Sequence, residues 1–366
     1  MNRRLFLQTL PFVAFGQDLI VRQRDPENLE FPFTSLDSYV TPNDRFYIRS
    51  HFKTPELDLA SYKLRVEGAV EKPFEITLDE IKRLAQRKVT ATLECAGNTR
   101  ALLNPPASGV QWELGAVSNA EWSGVPLGAL LEKAGLKSNA VEVVLEGADK
   151  GEPKNDPKPV GEIAFARSIS IEKARRPEVL LAHGMNGSDL ALSHGAPLRT
   201  VVPGYYGMSS IKWLTKVRVV TERFQGYFQT IDYAYWDRTN GYPLRQPLLD
   251  MRVKSLIAQP AKNQQIKAGS TVTLRGAAWT GEADISKVEI SSDGGKTWGQ
   301  ARFLDKANRF AWRRWEFDWK APSQPGRQFL MSRATDSKGA VQALQHDRDT
   351  AGYVIHHVIP VEINVL

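Results

Sequence analysis

The sequence predicts an α+β fold in two domains. With 366 residues, the chain is long enough for two hydrophobic cores. Strand-like alternation mixes with short helix signals over residues 46–248, whereas residues 249–366 contain short alternating strands separated by turn signals. We therefore expect a mixed α/β domain followed by an immunoglobulin-like β-sandwich.

Local patterns in the first domain support this interpretation. Residues 61–70 (SYKLRVEGAV) alternate apolar and polar side chains and predict a strand. Thr77, followed three positions later by Glu80, predicts a capping box at the start of a helix. Residues 126–135 run from a proline to a glycine and predict a second helix. The apolar run VEVVLEGAD predicts a strand that enters a loop at Asp149.

The second domain follows a segment rich in proline. Residues 241–260 are interrupted by prolines and are interpreted as a linker. Segments such as STVTLRGAAW and SKVEISSDGGKTW then alternate like half-buried strands. The Asp-Gly-Gly sequence at 293–295 predicts a hairpin tip. These short strands are typical of a β-sandwich.

The N-terminus predicts export. Arg3 and Arg4 precede a short apolar run, an order typical of a twin-arginine signal, which we assign to residues 1–16. This predicts a periplasmic protein. Residues 17–45 are polar and contain prolines, and they are interpreted as an extended arm. We expect no membrane span, because the apolar segments are too short.

Composition excludes several classes of site. The net charge of +7 comes from dispersed Lys and Arg residues, which favours attraction to anions rather than nucleic-acid binding. The only cysteine is Cys95. A single cysteine excludes an intrachain disulfide, a Cys-rich zinc site and an iron–sulfur cluster, and the chain has no C-x-x-C-H haem attachment sequence.

Cys95 lies where a predicted strand meets a turn, in TATLECAGNTR. Taken alone, this stretch favours a buried structural thiol, which behaves as a small apolar residue. The alternative is a residue that takes part in chemistry, because loops that follow strands often carry such residues.

Six segments in order decide between these two interpretations. They are FYIRSHF (46–52), LECAGNTR (93–100), WELGAVSNAEWSGVPL (112–127), LLAHGMNG (180–187), SHGAPLRTVVPGYYGMSSIKWL (193–214) and KVEISSDGGKTW (287–298). Together they make the chain resemble the sulfite oxidase family of molybdopterin enzymes. The resemblance implies a molybdopterin-binding domain followed by a dimerisation domain, and it implies that Cys95 is the thiolate ligand of molybdenum, a soft donor.

The resemblance also implies the remaining site residues. Arg49, Arg100 and Tyr233 are expected beside the substrate. The residues expected to contact the cofactor are Tyr47, Ile48, Arg49, Ser50, His51, Asp149, His194, Arg199, Ser210, Ile211 and Lys212.

The residue types agree with these assignments to differing degrees. Arg199 and Lys212 are natural phosphate partners, and Gly204 and Gly207 allow backbone N–H groups to approach an anion. Taken alone, His194 would be a satisfied surface histidine, and the histidines that match no motif are interpreted as structural: His183, His346, His356 and His357.

Two choices stay open at this stage. Tyr235 is an alternative to Tyr233, although the preceding Asp232 favours Tyr233. Ser108 and Ala351 occupy positions where animal members of the family carry cations, and the sequence does not show whether Arg348 compensates.

The expected activity is oxidation of sulfite to sulfate by oxygen-atom transfer. The chain is expected to bind one Mo-molybdopterin and no haem, to pass electrons to an external acceptor such as a cytochrome c, and to form a homodimer. One alternative is a molybdopterin-dependent sulfoxide reductase or an oxidoreductase of another small oxyanion. The other is a non-catalytic two-domain binding protein.

Overall fold

The computed structural model describes residues 18–366, so the predicted export signal lies outside the described residues. Within them, the first domain contains the strands β1 Ile20–Gln23, β2 Asn28–Glu30, β3 Ile48–Arg49, β4 Lys63–Gly68, β5 Phe74–Thr77, β6 Arg87–Glu94, β7 Val117–Pro126, β8 Glu142–Gly151, β9 Ile163–Ser170, β10 Leu180–Met185, β11 Ser188–Asp189, β12 Arg199–Val201, β13 Leu214–Val220, β14 Ala234–Asp237 and β15 Leu244–Pro247. Its helices are α1 Leu78–Arg83, α2 Leu127–Ala134, α3 Ile171–Ala174 and α4 Tyr227–Thr230.

Two five-stranded sheets form the body of this domain. One has the order β11-β10-β7-β6, with β12 also paired to β10, and the other has the order β5-β4-β13-β8-β9. Strands β4 and β13 are parallel, and the other pairs in these two sheets are antiparallel. The alternation in β4 buries Leu64 and Val66 completely, as the sequence predicts. The apolar faces of both sheets thus contribute to one core.

The helix signals are confirmed. The Thr77 hydroxyl accepts a hydrogen bond from the Glu80 N–H, and the Glu80 carboxylate accepts one from the Thr77 N–H, which completes the capping box of α1. Helix α2 ends at Gly135, whose φ of +69° suits glycine. In residues 18–366 no helix is long and apolar enough to span a membrane.

Three segments differ from the sequence-based expectation. Asp149 lies within β8 rather than in a loop, because a bulge between Glu146 and Lys150 lets the strand continue. Residues 17–45, interpreted as an extended arm, include β1 and β2, which form a three-stranded sheet with β3. The linker proposed for residues 241–260 includes regular strand at both ends, since prolines are tolerated at strand edges.

The second domain is the predicted β-sandwich. Its strands are β16 Lys254–Gln259, β17 Gln265–Ile266, β18 Thr271–Trp279, β19 Ile285–Ser291, β20 Gly299–Gln300, β21 Arg302–Phe303, β22 Arg313–Lys320, β23 Gly326–Asp336 and β24 Val361–Val365. The sheets β16-β18-β22-β21 and β17-β24-β23-β19-β20 enclose a separate core.

The two domains share a packed boundary. On β16, Ile257 points into the sandwich core, whereas its neighbours Leu256 and Ala258 pack into the core of the first domain. Trp279, at the end of β18, also packs into the core of the first domain and is 1% exposed. Because side chains alternate along a strand, a single sheet serves both cores.

Candidate active site

The predicted cofactor-binding residues surround one inner cavity, which β3, β8, β12 and the loop after β6 line. The predicted residues that line it are Tyr47, Ile48, Arg49, Ser50, His51, Cys95, Asp149, His194, Arg199, Ser210, Lys212 and Tyr233. Two predicted residues do not line it. The Ile211 side chain packs into the core, while its N–H donates to the Thr200 hydroxyl at 2.7 Å. Arg100 lies farther out, as described below.

Cys95 lies in the wall of this cavity, directly after β6. It is 6% exposed, its N–H donates to the Ala116 carbonyl at 2.9 Å, and its carbonyl accepts from the Asn98 N–H at 2.8 Å. These bonds fix the turn that carries the thiol. The thiol is therefore buried, as the structural interpretation required, but a ligand in the cavity could reach it.

The second domain supports the Cys95 turn from behind. Lys254 Nζ lies 2.9 Å from Glu94 Oε1, and Trp279 Nε1 donates to Glu94 Oε2 at 2.8 Å. The Lys254 and Glu94 side chains are each 2% exposed, so this ion pair is fully buried. Sequence reasoning missed it because nothing local to Glu94 indicates a partner 160 residues away.

The cavity contains buried positive charge that forms no salt bridge among residues 18–366, although Asp149 also lines the cavity. Arg199 is 5% exposed, and its guanidinium donates to the His194 and Ser210 carbonyls at 2.9 and 3.0 Å. Lys212 Nζ donates to the Ser50 hydroxyl at 2.8 Å. Among residues 18–366, no carboxylate forms a salt bridge with Arg199, Lys212 or Arg49.

Burial shifts the pKa values of these groups toward their neutral forms. Desolvation lowers the pKa of Arg199 to about 10 and lowers the pKa of Lys212 as well, while it raises the pKa of Asp149. Buried charges are costly unless they are paired. An anionic group such as a phosphate would supply the missing partner, so the cavity suits a ligand that carries one.

Neutral groups complete the wall. His194 is 4% exposed rather than on the surface, and its Nε2–H donates to the Asn43 carbonyl at 2.9 Å. Desolvation lowers the pKa of His194 to about 4. At Gly207 a Cβ atom would lie 2.7 Å from the Tyr47 hydroxyl, so this glycine permits the close packing. Gly204, in contrast, faces Gly281 in the second domain and does not line the cavity.

Tyr233 links the cavity to two basic side chains. Its side chain is buried, with the residue 2% exposed, and its hydroxyl lies 2.6 Å from His51 Nε2 and 3.5 Å from Arg49 Nη2. Desolvation lowers the pKa of His51 well below its usual value and raises the pKa of Tyr233, so both groups are neutral near pH 7. Tyr235 lies instead on a separate groove between the domains.

A second space, the antechamber, opens from the inner cavity and has a volume of about 500 Å³. It shares Arg49, Cys95 and Tyr233 with the inner cavity, and Arg100, Asp232 and Tyr353 line its far side.

Arg100 is held in a close-fitting slot. Its Nε donates to the Gly352 carbonyl at 2.8 Å, and its Nη1 donates to the Val110 carbonyl at 3.1 Å. A methyl group at Gly97 or Gly109 would collide with the guanidinium. Arg100 is thus fixed by backbone from both domains, and among the described residues its Nη2 has no hydrogen-bond partner.

The antechamber continues into an open outer cleft of about 970 Å³. Ser108, Ala351 and Arg348 line this cleft, and all three are exposed. His346 and His357, which the sequence analysis interprets as structural, line it as well. The two uncharged positions therefore lie beside Arg100, and Arg348 belongs to the outer cleft rather than to the antechamber.

Comparison with known proteins identifies relatives of both domains. Residues 51–228 match the family described as the oxidoreductase molybdopterin binding domain, and residues 245–364 match the Mo-co oxidoreductase dimerisation domain. The sulfite oxidase of Arabidopsis thaliana is 34% identical over 342 residues, covering 88% of this chain and 80% of the plant protein.

Two further relatives are similar over most of the chain. The mitochondrial sulfite oxidase of Rattus norvegicus is 34% identical over 343 residues, covering 88% of this chain, which spans 61% of the rat protein. The crystal structure of the sulfane dehydrogenase SoxCD from Paracoccus pantotrophus aligns with a TM-score of 0.82 and 26% identity, covering 99% of this chain and 96% of that chain.

Proposed function

Because the chain belongs to the sulfite oxidase family of molybdopterin oxidoreductases, we propose that it oxidises sulfite to sulfate. The observation that carries this proposal is the position of Cys95. It lines both an inner cavity, whose buried cations form no salt bridge among residues 18–366, and an antechamber that presents Arg49, Arg100 and Tyr233. The inner cavity suits an anionic cofactor, and the antechamber suits a small anion.

The side chains that line the inner cavity suit a molybdopterin. Arg199 and Lys212 would hold the phosphate, because both are buried cations without a carboxylate partner in the described residues. Tyr47, Ser50 and Ser210 offer hydroxyl and backbone groups to a polar pterin, and Cys95 would ligate molybdenum. When bound, this cofactor supplies two-electron oxidation coupled to oxygen-atom transfer. We propose one Mo-molybdopterin per chain and no haem.

The side chains of the antechamber bind and orient the substrate. At about 4 Å, a guanidinium attracts a unit negative charge by roughly 4 kcal/mol at an effective dielectric constant near 20. Arg49 and Arg100 both line the antechamber and would hold the oxyanion between them. The neutral phenol of Tyr233 can donate a hydrogen bond to a substrate oxygen, and His51 Nε2, which lies 2.6 Å from the hydroxyl, orients it.

The overall reaction balances with an external acceptor. Sulfite gains one oxygen atom derived from water, and two protons and two electrons are released. We propose that the electrons pass to a separate one-electron acceptor of the cytochrome c type.

The second candidate is the reduction of a sulfoxide or another small oxygen-bearing substrate by the same cofactor. Ser108 and Ala351 favour it, because they leave the cleft beside Arg100 with less positive charge than an anion-selective site would gain from cations there. A sulfoxide is neutral and needs no such charge.

Assays in both directions test the proposal on purified protein with measured molybdenum content. One assay follows sulfite-dependent reduction of cytochrome c or ferricyanide, and the other follows sulfoxide-dependent oxidation of a reduced dye. Turnover of sulfite in proportion to molybdenum supports the proposal. Turnover of sulfoxide alone would favour the second candidate, and the absence of molybdenum in cofactor-replete material would favour a binding protein.

Assembly and location are also proposals. The match to the Mo-co oxidoreductase dimerisation domain supports a homodimer, which light scattering on the purified protein would test. The paired arginines at positions 3 and 4 support twin-arginine export. Replacing both with lysine should retain the protein in the cytoplasm, and unchanged periplasmic recovery would contradict this.

A further inference from the structure

Tyr353 lies at the junction of the antechamber and the outer cleft. It lines both spaces, together with Arg100 and Asp232. It belongs to the C-terminal part of the chain, two residues after Ala351, whereas Arg100 and Asp232 belong to the first domain. Tyr353 is therefore a residue of one domain inserted into the active-site entrance of the other.

The ring of Tyr353 packs against both of the groups proposed to contact substrate, Arg100 and Tyr233. The Arg100 guanidinium carbon lies 4.8 Å from the centre of the ring, and the Tyr233 ring centre lies 4.9 Å from it at an interplanar angle of 43°. A cation over an aromatic face is attracted to it. The ring thus supports the Arg100 side chain while it occupies space beside both Arg100 and Tyr233.

The hydroxyl of Tyr353 engages the acid of the entrance. It donates to Asp232 Oδ1 at 2.7 Å. Burial raises the pKa of Tyr353 well above its usual value, so the phenol stays protonated and keeps donating. A carboxylate at the entrance repels an incoming anion. The hydrogen bond from Tyr353 holds the Asp232 carboxylate at the rim and delocalises the negative charge of that carboxylate.

We propose that Tyr353 is the specificity-determining residue of the entrance, which restricts the site to compact sulfur oxyanions without an organic substituent. It does so in two ways. Its ring positions Arg100 and excludes any substituent from the space beside Arg100 and Tyr233, and its hydroxyl binds Asp232 away from the bound anion. This rests on the proposed function, since it assumes that the anion is held at Arg49 and Arg100.

Anion binding tests this without requiring turnover. The probes are sulfate, which is compact, and propane-1-sulfonate, which carries an alkyl tail and one negative charge fewer, so the comparison between variants isolates the effect of the tail. Calorimetric titration of the cofactor-replete protein should show that sulfate binds at least roughly tenfold more tightly, about 1.4 kcal/mol. In Tyr353→Ala this preference should fall by about tenfold, because the tail can occupy the vacated ring volume.

Two more variants separate the ring from the hydroxyl. Tyr353→Phe keeps the ring, so it should keep excluding propane-1-sulfonate, but it should bind sulfate roughly two- to tenfold more weakly because Asp232 is released. The double variant Tyr353→Phe/Asp232→Asn should recover the lost sulfate affinity, since it removes the released charge. In steady state, Tyr353→Phe should raise the KM for sulfite while kcat stays nearly constant.

The control is Tyr39→Phe. The Tyr39 hydroxyl accepts from Asn308 Nδ2 at 3.0 Å, so this variant also loses a tyrosine hydrogen bond between the domains, but at a place remote from both spaces. It should leave the anion preference unchanged. If Tyr353→Ala does not fold, Tyr353→Leu, which lacks the ring, provides the same test.

The results discriminate clearly. An unchanged preference in the folded Tyr353→Ala or Tyr353→Leu protein overturns the inference, as does a wild type that does not bind sulfate. A shifted preference in a protein that does not oxidise sulfite would overturn the proposed function and keep the inference about anion size.

Discussion

The inner cavity and the antechamber share Cys95 in their walls and are built differently. The first domain supplies all of the residues that line the inner cavity. The antechamber takes Arg100 and Asp232 from the first domain and Tyr353 from the second. The comparison indicates that holding the cofactor depends on one domain, whereas selecting the substrate depends on how the two domains meet.

Cys95 itself belongs to both arrangements. Its sulfur faces the first-domain cavity, but its turn is bonded to the second domain. The Val354 N–H donates to the Ala96 carbonyl at 2.8 Å, and Lys254 pairs with Glu94. The contacts between the two domains therefore fix the position of Cys95, which lines both spaces.

The largest expected effect comes from a substitution in the inner cavity. Lys212→Met removes a charge-assisted bond to the phosphate, worth about 1.5–3 kcal/mol, so the cofactor should be retained roughly ten- to a hundredfold less tightly. Molybdenum content after extensive dialysis measures this.

Lys216→Met is the matched control for this change. Lys216 lies on β13, and its Nζ pairs with Glu146 at 2.9 Å. Its side chain is 24% exposed, so the pair contributes little to stability. Equal molybdenum retention in the two variants would show that Lys212 does not hold the cofactor.

The second prediction concerns the wall that the two spaces share. Tyr233→Phe removes a hydroxyl that lies 2.6 Å from His51 and faces the substrate, so kcat should fall by roughly ten- to a hundredfold while the fold persists. Tyr235→Phe, two residues along the chain, should show wild-type kinetics. A large defect in Tyr235→Phe with normal Tyr233→Phe would reverse the assignment of these tyrosines.

The third prediction concerns the burial of His194 in the inner cavity. His194 has a folded-state pKa of about 4, below the ordinary value near 6.5, so the unfolded chain takes up a proton first as pH falls. The free energy of unfolding of the cofactor-free protein should fall between about pH 6.5 and pH 4, by at most about 3 kcal/mol from this group. Urea titrations across this range measure it. His194→Gln should reduce the slope, and an equal slope would contradict the assignment.

The smallest effect concerns the outer cleft. Ser108→Lys places a cation beside the route to Arg100 and should lower the KM for sulfite by about two- to fivefold with little change in kcat, because exposed charges are screened. Ser138→Lys, at an exposed turn away from the cleft, controls for net charge. An unchanged KM in Ser108→Lys would mean that the anion does not pass this wall.

The sequence predicts the parts whose signals are local. The alternation of β4, the capping box of α1 and the glycine stop of α2 all depend on neighbours within a few residues, and the structure confirms them. The two-domain order was likewise readable, because strand patterning changes along the chain.

The parts that escaped prediction depend on distant partners. Lys254 meets Glu94 across 160 residues, and Tyr353 meets Asp232 across 121 residues. The sequence predicts a loop at Asp149, because a bulge leaves no clear mark in an apolar run. The missing side chains of Gly97 and Gly109 make room for Arg100, and no local pattern in the sequence indicates this contact.

X-ray absorption at the molybdenum edge tests the central claim most directly, namely that Cys95 joins the cofactor to the protein where the two spaces meet. The wild-type spectrum is compared with that of Cys95→Ser, a variant that should keep some cofactor through Arg199 and Lys212 and should not turn over sulfite. We predict one sulfur ligand fewer at molybdenum in Cys95→Ser than in the wild type. An equal number of sulfur ligands in the two proteins would contradict the account.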